Sequence, residues 1–253
     1  MSSIKLIKTN ETAKITLFKP PLNILDIADL EKFSEIFDKI RQDTTIKVAT
    51  IESDQKVFSA GVNVSDHSKE NISCMIKAFH KIFFRMLDLE IPTISLVKSG
   101  CLGGGCELAL FSDFVLASEG AYFSQPEIKI GCFPPVSLVY FPYIIGHKKA
   151  LEIVLTGNKV TAREALNYGL VNQVFSEEKF DSEAEKFINS ITSNSLSVIK
   201  TTLRAYKQLH YSELKEKLKF SEKTYLEELM QLEDTQEGIR SFLEKRPPVW
   251  TGR

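Results

Sequence analysis

The sequence predicts a mixed α/β fold, with strands concentrated early and helices late. Three observations predict it. A strand–turn–helix–strand succession is complete before residue 60, a glycine-rich strand-to-helix turn occupies Ser99–Leu108, and from Lys149 onward the periodicity is mostly helical. The division that follows is a core over residues 1–195 and a helical C-terminal region over residues 196–253.

The elements follow in order. Ala13–Phe18 is a short run of alternating β-formers, closed by the turn cluster Pro20-Pro21-Leu22-Asn23. Over Ile27–Arg41 the apolar residues Ile27, Leu30, Phe33, Ile36, Phe37 and Ile40 recur at three and four, which is the period of an amphipathic helix. Lys47–Ile51 returns to a buried-strand pattern. A second helix is expected over Ser68–Leu89, with Met75, Phe79, Ile82, Phe83 and Met86 on one stripe and Pro92 beyond its end. Thr93–Lys98 and Phe114–Ala117 read as strands, separated by a helix starting at about Cys106. Later helices are expected over Ala150–Thr156, Ala162–Tyr168, Ser182–Ile191, Leu196–Leu209 and Ser212–Gln231, with a last one reaching Lys245.

Composition narrows the class. A net charge of -1 over 253 residues gives no support for nucleic-acid binding, which usually leaves a basic surplus. The lysines of Lys215–Lys223 alternate with glutamates, as on a solvated helix face. Val136–Ile145 is apolar but far short of the ~20 residues that cross a bilayer, and Met1–Asn10 lacks the apolar run of a signal peptide. The four cysteines, Cys74, Cys101, Cys106 and Cys132, have no framework spacing, so reduced thiols and a cytoplasmic location are expected. Cys101 and Cys106 flank glycines, yet no histidine or second cysteine pair completes a zinc set, and no metal is expected.

Chemistry concentrates in three segments. In Ser99-Gly100-Cys101-Leu102-Gly103-Gly104-Gly105-Cys106-Glu107-Leu108, a strand runs through glycines into a helix start, where main-chain N–H groups lie bare and the helix dipole favours negative charge. A tight packing turn explains the glycines equally well; a P-loop lysine or dinucleotide spacing is missing. Glu107 stands in the first turn of an otherwise apolar helix, where a carboxylate either complements the dipole or handles protons. Glu127 follows in Gln125-Pro126-Glu127-Ile128 among mostly uncharged neighbours, whose burial would raise its pKa toward the range useful to a general acid. The third segment, Val57-Phe58-Ser59-Ala60-Gly61-Val62-Asn63, is a strand end entering a glycine turn, and its Val62 N–H is a candidate partner for that of Gly104.

Taken together, Phe58-Ser59-Ala60-Gly61, Gly103–Leu108, Gln125–Ile128, Leu155-Thr156-Gly157, Ala162–Val171 and Phe242–Arg246 resemble the enoyl-CoA hydratase/isomerase (crotonase) superfamily along almost the whole chain. The resemblance implies a spiral of ββα units, a helical C-terminal trimerisation region, and a homotrimer or dimer of trimers. It implies an acyl-CoA thioester substrate, with coenzyme A entering as part of that substrate and no separate cofactor. By the same resemblance, the Val62 and Gly104 N–H groups would hold the thioester oxygen, and Glu107 and Glu127 would be the base and acid of hydration.

Two segments depart from the common hydratase pattern. Asn63 replaces an acidic residue, and Gly131-Cys132-Phe133-Pro134-Pro135-Val136-Ser137 lacks the usual glycines. With Pro20–Ile27, that loop is most similar to cyclohexa-1,5-diene-1-carbonyl-CoA hydratases. Substrate contacts are accordingly expected from Asn23, Leu25, Ser59, Ala60, Phe133 and Pro134, and from Lys245 toward the CoA phosphates. Among other residues, His67 is expected to be solvent-exposed, His80 structural, and Trp250 to cover a subunit contact. Two alternatives accompany the hydratase: a polyketide β-branching dehydratase or decarboxylase acting on a carrier-protein thioester, and a non-catalytic RNA-binding relative.

Overall fold

The computed structural model describes residues 3–253 and has the expected mixed α/β architecture. Strand β1 (Ile4–Thr9), which the sequence pattern did not reveal, pairs antiparallel with β2 (Thr12–Leu17). Its polar residues outnumber its buried ones, since only Ile4 is fully covered, so the alternation is blurred. Helix α1 (Ile27–Gln42) starts at a reciprocal cap. Asp26 accepts from the Asp29 N–H at 3.0 Å, and Asp29 accepts from the Asp26 N–H at 3.1 Å. The helix buries Leu30, Phe33, Ile36, Phe37 and Ile40.

Strand β3 (Val48–Ser53) leads to a 3-10 turn at Val64–His67 and then to α2 (Ile72–Asp88), which starts later than the expected Ser68. Strand β4 (Thr93–Val97), short β5 (Gly100–Leu102), α3 (Gly104–Leu110), β6 (Phe114–Ser118) and β7 (Tyr122–Ser124) follow. A second 3-10 turn at Pro126–Ile130 precedes α4 (Pro135–Ile145) and α5 (His147–Thr156). Then come β8 (Val160–Thr161), α6 (Ala162–Tyr168), β9 (Gln173–Phe175), α7 (Phe180–Thr192) and α8 (Leu196–His210). The expected helix Ser212–Gln231 is α9 (Leu214–Glu227) plus a 3-10 turn at Leu229–Gln231. The last helix, α10 (Glu233–Leu243), stops before Lys245, whose φ is +54°.

The strands form a six-stranded sheet in the order β1-β2-β3-β4-β6-β9, parallel except for the first pair, and a three-stranded sheet β5-β7-β8. Alternation along the large sheet separates two layers. Ala49, Ile51, Val97, Val115 and Ala117 face the main core with α1 and α2, whereas Val48, Ile94 and Leu116 meet Phe180 and Ala184 of α7. The C-terminal helices divide in character. Leu214, Leu218, Tyr225, Met230 and Ile239 belong to the main core, so α9, the turn after it and α10 are built into the same body. Helix α8 buries none of its residues and leaves Val198, Tyr206 and Leu209 exposed.

Candidate active site

The site is assembled where residues 58–63 pass between two other segments. On one side Leu25 donates its N–H to the Gly61 carbonyl, and the Asn63 N–H reaches the Leu25 carbonyl, both at 2.9 Å. On the other, Phe58 N–H bonds the Gly100 carbonyl at 2.8 Å and Leu102 N–H the Ser59 carbonyl at 2.9 Å. In a parallel bridge of this kind, the N–H of the bridging residue faces away from its partner. The Val62 N–H therefore turns from Leu25 and donates to no described residue.

Helix α3 brings the second amide. Gly103 holds φ +52° and accepts the turn that starts the helix at Gly104, two residues earlier than the sequence implied. A Cβ on Gly105 would lie 2.5 Å from Ser59 Cβ, so glycine here lets α3 press against the Ser59–Val62 loop. A Cβ on Gly104 would come within 2.9 Å of Val62 Cγ2, which puts the two residues side by side. The Gly104 N–H, in the first turn of α3, also donates to no described residue. Two unengaged donors thus line one cavity of about 620 Å³ with Glu107 and Glu127.

Glu107 is buried and does structural work as well. Its Oε1 accepts from the Val136 and Ser137 N–H groups at 2.8 and 2.7 Å, and so caps the N-terminus of α4, whose own N-cap residue is Pro134. Glu127 stands on the 3-10 turn, with Oε1 2.9 Å from where a Gly103 Cβ would be. The hydrogen-bonding surroundings turn the Gln125 amide nitrogen toward Glu127, at 3.2 and 3.1 Å from its two oxygens, while the Gln125 oxygen accepts from Ser137 Oγ at 2.6 Å. The two carboxyl groups are therefore joined through Gln125 and Ser137. Desolvation raises both pKa values: Glu107 well above the ordinary carboxyl range, with the Glu127 charge adding to it, and Glu127 to about 8. The two main-chain donors at the α4 N-terminus oppose that rise at Glu107 without cancelling it.

The other expected residues separate into cavity wall and scaffold. Ala60 and Phe133 line the cavity with Met75, Ile76, Phe79 and Tyr225. Leu25 and Ser59 are buried behind it; Ser59 Oγ bonds the Asn23 carbonyl at 2.7 Å, and the Gly61 N–H donates back to Ser59 Oγ at 3.1 Å. Asn23 does not present its side chain to the cavity. Its amide nitrogen donates to Ser53 Oγ at 2.7 Å and to the Phe58 carbonyl at 2.9 Å, and its oxygen accepts from the Lys19 N–H at 2.7 Å. Pro134 is buried outside the lining, where Pro135 takes its place. Lys245 is exposed and outside the cavity, although its neighbours Phe242 and Leu243 are at the wall. His67 departs from its expected exposure: it is largely enclosed and forms part of the wall. His80 is fully buried, with Nδ1 3.0 Å from Glu222, and Trp250 is 47% exposed on the single chain.

Sequence reasoning missed Gln125 and Ser137 as the link between the glutamates, and Tyr225, whose ring packs on Phe133 at 5.1 Å. Gln125 stood beside Glu127 in a quoted motif, so a signal existed; Tyr225 arrives from α9 by long-range packing and had none.

No helix among the described residues is long and apolar enough to cross a membrane. The enoyl-CoA hydratase/isomerase family model matches residues 8–253. A cyclohexa-1,5-dienecarbonyl-CoA hydratase of Thauera aromatica is 30% identical over 95% of this chain and 93% of its own length. A probable mitochondrial enoyl-CoA hydratase of Dictyostelium discoideum is 31% identical over 96% of this chain and 88% of its own. The crystal structure of an enoyl-CoA hydratase from Mycobacterium avium subsp. paratuberculosis K-10 superposes with a TM-score of 0.89 at 25% identity, covering 98% of each chain. The chain belongs to the enoyl-CoA hydratase/isomerase family.

Proposed function

We propose that this protein is a hydro-lyase that adds water across the double bond of an α,β-unsaturated acyl-CoA. The observation that carries the reading is the juxtaposition of a buried and a half-buried carboxyl group, bridged to each other, with two unengaged main-chain amides on one cavity. Family membership supports the thioester chemistry.

The mechanism follows from charge. An isolated alkene resists water, but conjugation to a thioester lets the electrons displaced from the double bond reach the carbonyl oxygen. The Val62 and Gly104 N–H groups receive that oxygen, each fixed donor being worth about 3–4 kcal/mol at the transition state. Glu107, ionised in the reactive form, takes a proton from water as the water oxygen bonds the β-carbon. Glu127 delivers its proton to the α-carbon and collapses the enolate. Water is consumed whole and no electrons are gained or lost, so the step needs no redox partner. Coenzyme A is the carrier half of the substrate.

The finer reading concerns the acyl group. Pro134 and Pro135 stiffen the loop that delivers Phe133, and Phe133, Phe79 and Tyr225 offer broad apolar faces that suit a flat ring. A cyclic dienoyl-CoA is accordingly the preferred substrate. We also assign the exposed apolar residues of α8 to contact between copies in a homotrimer, which sedimentation at several protein concentrations tests against the 28.6 kDa protomer. A substrate panel of crotonyl-CoA, a longer enoyl-CoA and cyclohexa-1,5-diene-1-carbonyl-CoA tests the acyl reading through loss of conjugated absorbance. The cyclic substrate is expected to have the highest kcat/KM. Preference for a straight chain would discard the ring and keep the hydratase; turnover of none would discard both.

A further inference from the structure

The acyl cavity has an exposed end and a buried one. Leu22, Ile24, Phe242 and Leu243 line it and are exposed, which marks its mouth; Met75, Ile76, Phe79 and Tyr225 line it and are buried, which marks its interior. Beside Tyr225 stands the half-buried Phe133, the two rings meeting edge-on at 5.1 Å. Phe133 also lines a second space, an apolar groove of about 840 Å³ between α4 and α9. Among the described residues it is the one that the two walls share. Leu138, Val139 and Pro142 of α4 and Phe220 of α9 make the groove's apolar sides, and Lys217, paired with Glu213 at 2.9 Å, lies at its polar rim. The Phe133 ring thus stands between the site of the chemistry and a groove that hydration does not use.

From this placement we infer that Phe133 is a specificity-determining residue, which closes the acyl cavity against the α4–α9 groove and so limits the length of the acyl group accepted. The inference rests on the acyl-CoA reading above and extends it from the shape of the acyl group to its length. The partition is braced on both sides. Just before it, the Cys132 N–H donates to the Glu127 carbonyl at 2.9 Å; just after it, Pro134 and Pro135 restrict the chain. Ser221 Oγ of α9 donates to the Pro135 carbonyl at 2.7 Å, which ties the two sides of the groove together next to Phe133. A compact ring ends against the phenyl face, in keeping with a cyclic substrate. A straight chain gains about fourfold in affinity for each methylene that finds apolar cover, so affinity climbs with length until the chain meets the wall. Beyond that point a further methylene has to displace a braced ring, which close packing resists. With the ring cut back to a methyl group, the distal chain passes into the groove, whose apolar sides cover it.

The test uses the full chain and calorimetric binding of butanoyl-, hexanoyl-, octanoyl- and decanoyl-CoA, with kcat/KM for the matching 2-enoyl-CoAs. Wild-type affinity is expected to stop rising before decanoyl-CoA. Phe133→Ala should raise the decanoyl-to-butanoyl affinity ratio by about tenfold or more over wild type, and Phe133→Leu, which keeps part of the wall, by a smaller factor. Adding Leu138→Asn to Phe133→Ala places an amide in the groove and none in the acyl cavity, so it should cancel most of that gain while butanoyl-CoA affinity stays within about threefold of the Phe133→Ala chain. A wild-type affinity that rises steadily through decanoyl-CoA, or an unchanged ratio in the Phe133 variants, would overturn the assignment. A gain that Leu138→Asn leaves intact would overturn the groove as the chain's destination. If alanine at this position unfolds the chain, the ratio in Phe133→Leu decides in the same way. Because the affinity profile needs no turnover, a chain that shows the length limit but hydrates nothing refutes the hydratase and keeps Phe133.

Discussion

Glu107 carries two duties that substitution can separate. Its Oε1 closes the N-terminus of α4 through two main-chain hydrogen bonds, at 2.8 and 2.7 Å, in a buried setting. Glu107→Gln keeps an oxygen for both donors and removes the charge. Glu107→Leu keeps similar bulk and removes the acceptor, leaving the Val136 and Ser137 N–H groups buried without one. Each orphaned donor costs about 1–3 kcal/mol, so the leucine variant should be less stable than the glutamine variant by about 2–6 kcal/mol. Both lose the desolvated carboxyl equally, so that contribution cancels in the comparison. A chain of 253 residues unfolds with an entropy of roughly 0.5 kcal/mol per kelvin, which turns the difference into a Tm gap of about 4–12 °C by calorimetry at pH 7. Hydration should fall in both variants by about a thousandfold or more. Melting temperatures within about 1 °C of each other would refute the capping role.

Four other consequences are open to measurement. Glu127 is held up at about 8 by burial, so its folded pKa lies above its unfolded one. The unfolded chain therefore binds fewer protons between about pH 4.5 and 8, and Glu127 lowers stability as pH rises through that window, by up to about 1.4 kcal/mol per unit. Glu127→Gln should flatten that slope in urea melts from pH 5 to 8, and an unchanged slope would remove Glu127 from the account. Since the acid form is the proton donor, wild-type kcat/KM should decline above about pH 8; a rate still rising there would reverse the roles of the two glutamates. Gly104→Ala would bring a methyl within 2.9 Å of Val62 Cγ2 and 3.1 Å of Phe79 Cζ, so kcat should drop at least about tenfold while the circular dichroism stays native; full activity would deny the amide pair its role. Asn23→Ala should cost about 2–4 kcal/mol in chemical denaturation through its lost buried bonds; a variant of native stability that binds acyl-CoA weakly would return Asn23 to the cavity.

The sequence made the large sheet's inner strands and the long helices legible because their apolar residues follow a single period. The stripe of α1 is a case: Leu30, Phe33, Phe37 and Ile40 are all buried, as spacing implied. Strands β5, β7 and β8 were not legible, being three residues or fewer and held by pairing with distant partners. Gly104 illustrates a boundary that needed coordinates: its helix starts directly after the positive-φ Gly103 rather than at the first good helix former. In the site, the glutamates and glycine turns announced themselves as segments, but their junction did not. That junction depends on Ser137 and Val136 of α4 reaching Glu107 across 30 and 29 positions. His67 was misjudged because a polar residue after an aspartate reads as surface, whereas α2 and α9 wall it in.

The most direct measurement is the hydration rate of crotonyl-CoA by wild type, Glu107→Gln and Glu127→Gln, with binding of butanoyl-CoA followed in parallel. Wild type should turn over, each variant should lose about a thousandfold or more in kcat, and the affinity for butanoyl-CoA should stay within about threefold. Near-wild-type turnover by either variant would mean that the two carboxyl groups do not form the acid–base pair.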